Sequence, residues 1–85
     1  MEQKIIIRTT AYAYNKKLAM AFTWRSNVEV NVEQFDTNIL LDACYDARDK
    51  LKSMCDDTIE IEKVSAGAVI IINGITFNSK RVVLS

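Results

Sequence analysis

Large apolar residues recur with period two at Leu18, Met20, Phe22 and Trp24, with smaller residues between them. That spacing is the signature of a half-buried strand. Residues 4–14 and 17–25 read as two strands joined at Asn15-Lys16, a two-residue turn in which Asn tolerates positive φ. In that hairpin Tyr14 faces Lys17, Tyr12 faces Ala19, Thr10 faces Ala21, Arg8 faces Thr23 and Ile6 faces Arg25. The other side pairs Ala13, Ala11, Thr9 and Ile7 with Leu18, Met20, Phe22 and Trp24, and it is the core side. Val28, Val30 and Val32 continue the alternation, either as a short strand or as a lead into a helix.

The period then changes from two to 3.6. Leu40, Cys44, Ala47, Leu51 and Met54 recur at helical spacing, widened by Ile39, Leu41 and Ala43. Asp36 is a suitable N-cap, so a helix is expected from about Asp36 to about Cys55. Asn31, with Gln34 three residues on, offers a second start resembling a capping box. After Asp56-Asp57, residues 58–64 alternate Ile59 and Ile61 with Glu60 and Glu62. Ser65-Ala66-Gly67 reads as a turn, residues 68–72 as an apolar strand, Asn73-Gly74 as a hairpin turn, and residues 75–84 as a closing strand. The expected fold is α+β: an antiparallel sheet of about five strands with one helix packed on one face, in the order β-β-α-β-β-β.

That arrangement leaves Val69 and Ile71 pointing away from the helix, with Val82 and Leu84 joining them. An apolar patch of this kind is covered by a symmetric dimer, so Val69, Ile71, Val82 and Leu84 are the expected homodimer interface.

With 85 residues, the chain is expected to form one domain spanning 1–85. No apolar run approaches the ~18 residues of a membrane span, and the N-terminus shows no export signal, so a cytoplasmic protein with no membrane association is expected. Cys44 and Cys55 lie eleven residues apart in the expected helix, roughly 16 Å, too far to pair with each other.

Charge alters the picture. The total is zero, but residues 1–27 hold five cations against Glu2, a net of +4, whereas residues 28–56 hold three against seven acids, a net of −4. The chemistry is narrowed by what is missing. Without histidine there is no Ser-His or Cys-His nucleophile, and two cysteines cannot complete a structural zinc site. Two glycines do not build a phosphate-cradling loop, so no cofactor or metal is expected. Asp42, Asp46 and Asp49 share a helix face, read as solvated and interleaved with Arg48, Lys50 and Lys52. Glu60-Ile61-Glu62-Lys63 lacks the acid-any-lysine order of a metal-dependent nuclease, because Ile61 holds the first position. A non-enzymatic protein is expected.

The outer side of the first hairpin carries the candidate site: Lys4, Arg8, Tyr12, Tyr14, Lys17 and Arg25, with Lys16 at the turn and Lys80-Arg81 extending it. Cations attract phosphates, and tyrosine rings stack on unpaired bases. This points to RNA held on a sheet face, with action by occupancy or masking, although zero net charge argues against strong non-specific affinity. The same residues also suit the solvated side of a half-covered sheet. The competing class is a protein-binding inhibitor or adaptor, such as a phage-encoded inhibitor of a host system or an antitoxin-like module.

Overall fold

A computed structural model describes residues 3–84. Met1, Glu2 and Ser85 lie outside the described residues, and with them part of the N-terminal segment expected to carry no export signal. Five antiparallel strands form one sheet, and one helix packs on one of its faces, in the expected order. The strands are β1 (Gln3–Asn15), β2 (Met20–Val30), β3 (Ile59–Ile72), β4 (Ile75–Asn78) and β5 (Val82–Leu84), and the helix is α1 (Thr37–Met54). The sheet order is β2-β1-β3-β4, with β5 also on β3. β4 pairs with Val69–Ile72 and β5 with Val64–Ala66, so the two short strands follow one another along the same edge of β3.

The first hairpin has a longer turn than the sequence suggests. The Asn15 side chain accepts hydrogen bonds from the Lys17 and Leu18 amides at 3.0 Å each, and Ala19 takes the positive φ of 54°. Asn15 therefore caps a four-residue loop instead of sitting inside a two-residue one. Pairing moves accordingly: Tyr14 lies opposite Ala21, Tyr12 opposite Thr23 and Thr10 opposite Arg25. The shift is an even number of residues, so every side chain that remains in the two strands keeps its expected face. It does move Lys17 and Leu18 into the loop and leaves Leu18 and Met20 more than 60% exposed, while Val28 and Val30 join β2.

Helix α1 begins as its cap predicts. The Asp36 carboxylate accepts from the Ile39 amide at 3.0 Å. The alternative start at Asn31 is not used by α1: a single 3-10 turn over Val32–Gln34 follows it, and the Asn31 side chain makes no capping hydrogen bond. Leu40, Cys44, Ala47 and Leu51 are buried, but Met54 in the last turn is 57% exposed and Leu41 37%. The buried four pack on Ile5, Ile7, Ala11, Val64, Ala66 and Ala68 of the sheet. Small side chains on both layers bring the helix close, and the Cys44 thiol lies 3.8–3.9 Å from the Val64 and Val82 carbonyls. Burial pushes the Cys44 thiol pKa up, with the Arg81 charge pulling weakly the other way. Cys55 is the half-buried C-cap, and both cysteines are free.

Residues 58–72 correct the expected turn at Ser65-Ala66-Gly67, because β3 runs unbroken through it. The irregularity lies earlier. Tyr12 pairs with Lys63 but Ala13 with Ile61, so Glu62 is the extra residue of a β-bulge. Before the bulge the odd residues Ile59 and Ile61 face the helix; after it the even residues Val64, Ala66, Ala68 and Ile70 do. The expected closing strand is instead interrupted. The Ser79 amide donates to the Ala68 carbonyl at 2.9 Å and the Ser79 hydroxyl accepts from the Ala68 amide at 2.8 Å, which replaces strand pairing at that point. At the β3–β4 turn, Asn73 and Gly74 take φ of 51° and 80°, as a two-residue primed turn requires.

β5 also alters the expected apolar patch. Val82 lies opposite Ala66 and Leu84 opposite Val64, so both pack on the helix-side core and Val83 points outward. Val82 and Leu84 therefore do not share a face with Val69 and Ile71. Val69 is already 7% exposed within its own chain, and Ile71 is half-buried.

Candidate nucleic-acid interface

α1 occupies one side of the sheet, and no other element among the described residues covers the opposite side. Pairing fixes that outer side as a grid, since residues opposite one another share a face. From the hairpin tip, its rows are Ala21–Tyr14–Glu60, Thr23–Tyr12–Lys63, Arg25–Thr10–Ser65, Asn27–Arg8–Gly67 and Glu29–Ile6–Val69, with Lys4 beside Ile71. Lys4 and Tyr14 lie ten residues apart on β1, roughly 33 Å along the strand.

The expected residues thus fall into two groups. Arg8, Tyr12, Tyr14 and Arg25 meet on the outer face: Arg8, Tyr12 and Arg25 are exposed, and Tyr14 is half-buried. Arg8 and Arg25 occupy adjacent rows. Lys16 and Lys17 stand at the tip, where the Lys16 amide donates to the Thr58 carbonyl at 2.8 Å and ties the loop to the start of β3. Lys4 lies at the far end, paired with Glu29 at 3.7 Å, both side chains more than half exposed. Lys80 is exposed in the β4–β5 connection.

Two more cations join the face: Lys63, which the sequence reading left outside it, and Arg81, which was expected to extend it. Lys63 stands 4.8 Å from the centre of the Tyr12 ring. Its position depends on the bulge. Arg81 crosses the face over Gly67, donating to the Ser65 hydroxyl at 2.9 Å, the Ser65 carbonyl at 3.3 Å and the Arg8 carbonyl at 3.5 Å. A Cβ on residue 67 would stand 3.1 Å from both Cγ and Nη1 of Arg81, so glycine is what lets the guanidinium lie there. The face holds Arg8, Arg25, Lys63 and Arg81 around Tyr12 and Thr10. Among its paired positions the acids are Glu60 at the tip and Glu29 near Lys4, and the exposed bulge residue Glu62 directly precedes Lys63. Toward the β3–β4 turn it becomes apolar, through Ile6, Val69 and Ile71.

On the other side, α1 covers the inner surface of β2 only in part, leaving Trp24 and Val30 half-buried against the core. A groove of about 310 Å³ runs between α1 and β2, lined by Trp24, Val28 and Val30 on the strand and by Ile39, Asp42 and Asp46 on the helix. The Lys50 ammonium closes one end, 6.0 Å from the Trp24 ring. Helical periodicity placed Asp42 and Asp46 on one face, but the position of that face over β2 depends on tertiary packing.

No cluster of three or more Cys, Asp or Glu side chains is arranged to hold a metal ion among the described residues, and no helix there is long and apolar enough to cross a membrane. Compared with protein-family models, curated proteins and solved structures, the chain matches none.

Proposed function

We propose that the protein binds single-stranded RNA on the outer face of its sheet and acts by occupancy, masking the strand it holds without chemistry on it. The observation that carries this reading is the grouping of Arg8, Arg25 and Lys63 around the exposed Tyr12 on a sheet face that no helix covers. The cations neutralise phosphates, and the ring stacks an unpaired base once Lys63 moves from over it to a phosphate. A strand-rich platform with aromatic rings is a common solution for unpaired RNA.

The test is fluorescence anisotropy with a labelled single-stranded oligonucleotide. With Arg8, Arg25 and Lys63 each on a phosphate, log K falls with log salt at a slope of about −2. Arg8→Glu combined with Lys63→Glu abolishes binding while circular dichroism stays unchanged. Tyr12→Ala weakens it by ~1–3 kcal/mol. Unchanged affinity in the Arg8/Lys63 variant rejects the proposal.

A second reading, a protein-binding inhibitor or adaptor, is favoured by one feature: the groove between α1 and β2. Its apolar floor and the acidic Asp42 and Asp46 suit a basic amphipathic segment. Under that reading Asp42→Lys with Asp46→Lys abolishes partner capture, and the Arg8/Lys63 variant does not.

A further inference from the structure

The two edges of the sheet differ. One is blunt: β4 has four residues and β5 three, separated by the break at Ser79–Arg81. The other is β2, eleven residues long, free of proline, with a ladder to β1 that contains no bulge. Among the described residues, only β1 pairs with it. A long regular edge of this kind is a template for another strand, and none of the usual protections except charge is present.

The charges on that edge are self-complementary. We infer that β2 pairs antiparallel with β2 of a second copy of this chain, about a two-fold axis at Asn27, giving one continuous ten-stranded sheet. Centred there, Arg25 of each copy lies opposite Glu29 of the other, so two ion pairs form on the outer face. On the helix side Trp24 lies opposite Val30, and Ser26 opposite Val28. Neighbouring centres fail: an axis at Arg25 sets that cation against itself, an axis at Ser26 sets Arg25 against Asn27 and Thr23 against Glu29, and an axis at Val28 sets Glu29 against Asn27 and Arg25 against Asn31, beyond the end of β2. The pairing covers Val28, which is 54% exposed in the single chain. Glu29 keeps its exposed contact with Lys4 and gains a second cation.

The two-fold axis stands perpendicular to the sheet, so both helices lie on one side and both outer faces merge on the other. The dimer does not depend on RNA binding. A ladder this short falls at the small end of stable interfaces, so monomer and dimer exchange with concentration.

Nuclease-treated protein is measured by sedimentation and light scattering over a range of concentrations. The expected mass rises from 9.7 kDa to twice that value. Arg25→Glu or Glu29→Arg alone sets like charges opposite and weakens the dimer more than tenfold; the double swap restores it to within about threefold. Asn27→Cys, in a Cys55→Ser background, cross-links spontaneously to a disulfide dimer, because residue 27 meets its own copy on the axis. Arg8→Glu, off this strand, weakens RNA binding and leaves the mass unchanged, which separates the two proposals. A protein monomeric up to ~1 mM, the weak end of specific association, overturns the inference. So does a dimer indifferent to the single swaps, or one in which Asn27→Cys does not cross-link.

Discussion

The contact between Gly67 and Arg81 predicts a substitution whose sign depends on its neighbour. Residue 67 is buried in an extended strand without positive φ, so alanine is conformationally allowed there. In the parent protein the new Cβ meets Cγ and Nη1 of Arg81 at 3.1 Å. The guanidinium has to shift, and its bonds to Ser65 weaken; Ser65 is only 6% exposed and has little water to replace them. Each such bond is worth about 0.5–1.5 kcal/mol, so Gly67→Ala is expected to destabilise by about 1 kcal/mol. In an Arg81→Ala background the obstacle is gone. There the substitution only removes unfolded-chain freedom, and it is expected to stabilise by about 0.5 kcal/mol. The coupling between the two positions is then about 1.5 kcal/mol, well above the additivity limit for independent sites. Urea unfolding followed by Trp24 fluorescence reads all four variants; for a domain this size 1 kcal/mol corresponds to a Tm change of about 4–8 °C. If Gly67→Ala has the same effect in both backgrounds, Arg81 does not rest on the strand.

Other expectations concern the helix and its flanks. Leu51→Ala, at a buried position, costs about 2–5 kcal/mol, whereas Met54→Ala one turn on stays within about 0.5 kcal/mol, measured by denaturant midpoints. Native Cys44 alkylates far more slowly than Cys55, timed by mass spectrometry. Its raised folded pKa means that the unfolded chain loses the thiol proton first, so stability falls as pH rises through the ordinary thiol pKa. At the other extreme, the Thr58 hydroxyl and amide hydrogen bonds hold the Asp56 carboxyl below its usual range. That contribution is present above the ordinary carboxylate pKa and is lost as pH falls through the lowered one. Thr58→Val moves the Asp56 titration upward, read by NMR.

Periodicity made the element types and most of the faces legible. The Asp36 cap, the Leu40–Cys44–Ala47–Leu51 stripe and the Asn73-Gly74 turn follow from local chemistry and are where it places them. Errors arose where a local signal had two physical meanings. Asn15 suits a positive-φ position and also a side-chain cap; the cap won and lengthened the loop. Gly67 suits a turn and also a strand under close approach, and Arg81, fourteen residues away, decides between them. The apolar positions of residues 59–70 change parity between Ile61 and Val64. A turn and a bulge both produce that change, and only pairing with β1 distinguishes them. The same bulge sets Lys63 beside Tyr12, which is why the candidate site was legible on β1 and β2 but not on β3.

Zero net charge counts less against phosphate binding than it does for an unstructured chain. Asp42, Asp46 and Asp49 lie on α1, behind the sheet from Arg8, Arg25 and Lys63. A helix layer stands roughly 10 Å from the layer it packs on, and side chains on opposite sides add several ångströms more. At physiological salt the Debye length is about 8 Å, so the two charge sets barely sense one another through solvent. A phosphate approaching the outer face therefore meets the local cations and not the total. The three-site change Asp42→Asn, Asp46→Asn and Asp49→Asn raises net charge by three, yet it is expected to alter RNA affinity less than threefold at physiological salt. Arg8→Glu changes net charge by only two in the other direction and is expected to weaken binding more than tenfold. Anisotropy titrations of both variants decide the matter. Affinity that follows net charge, with the helix variant binding markedly tighter, would show that RNA responds to the whole molecule and would remove the outer face as the site.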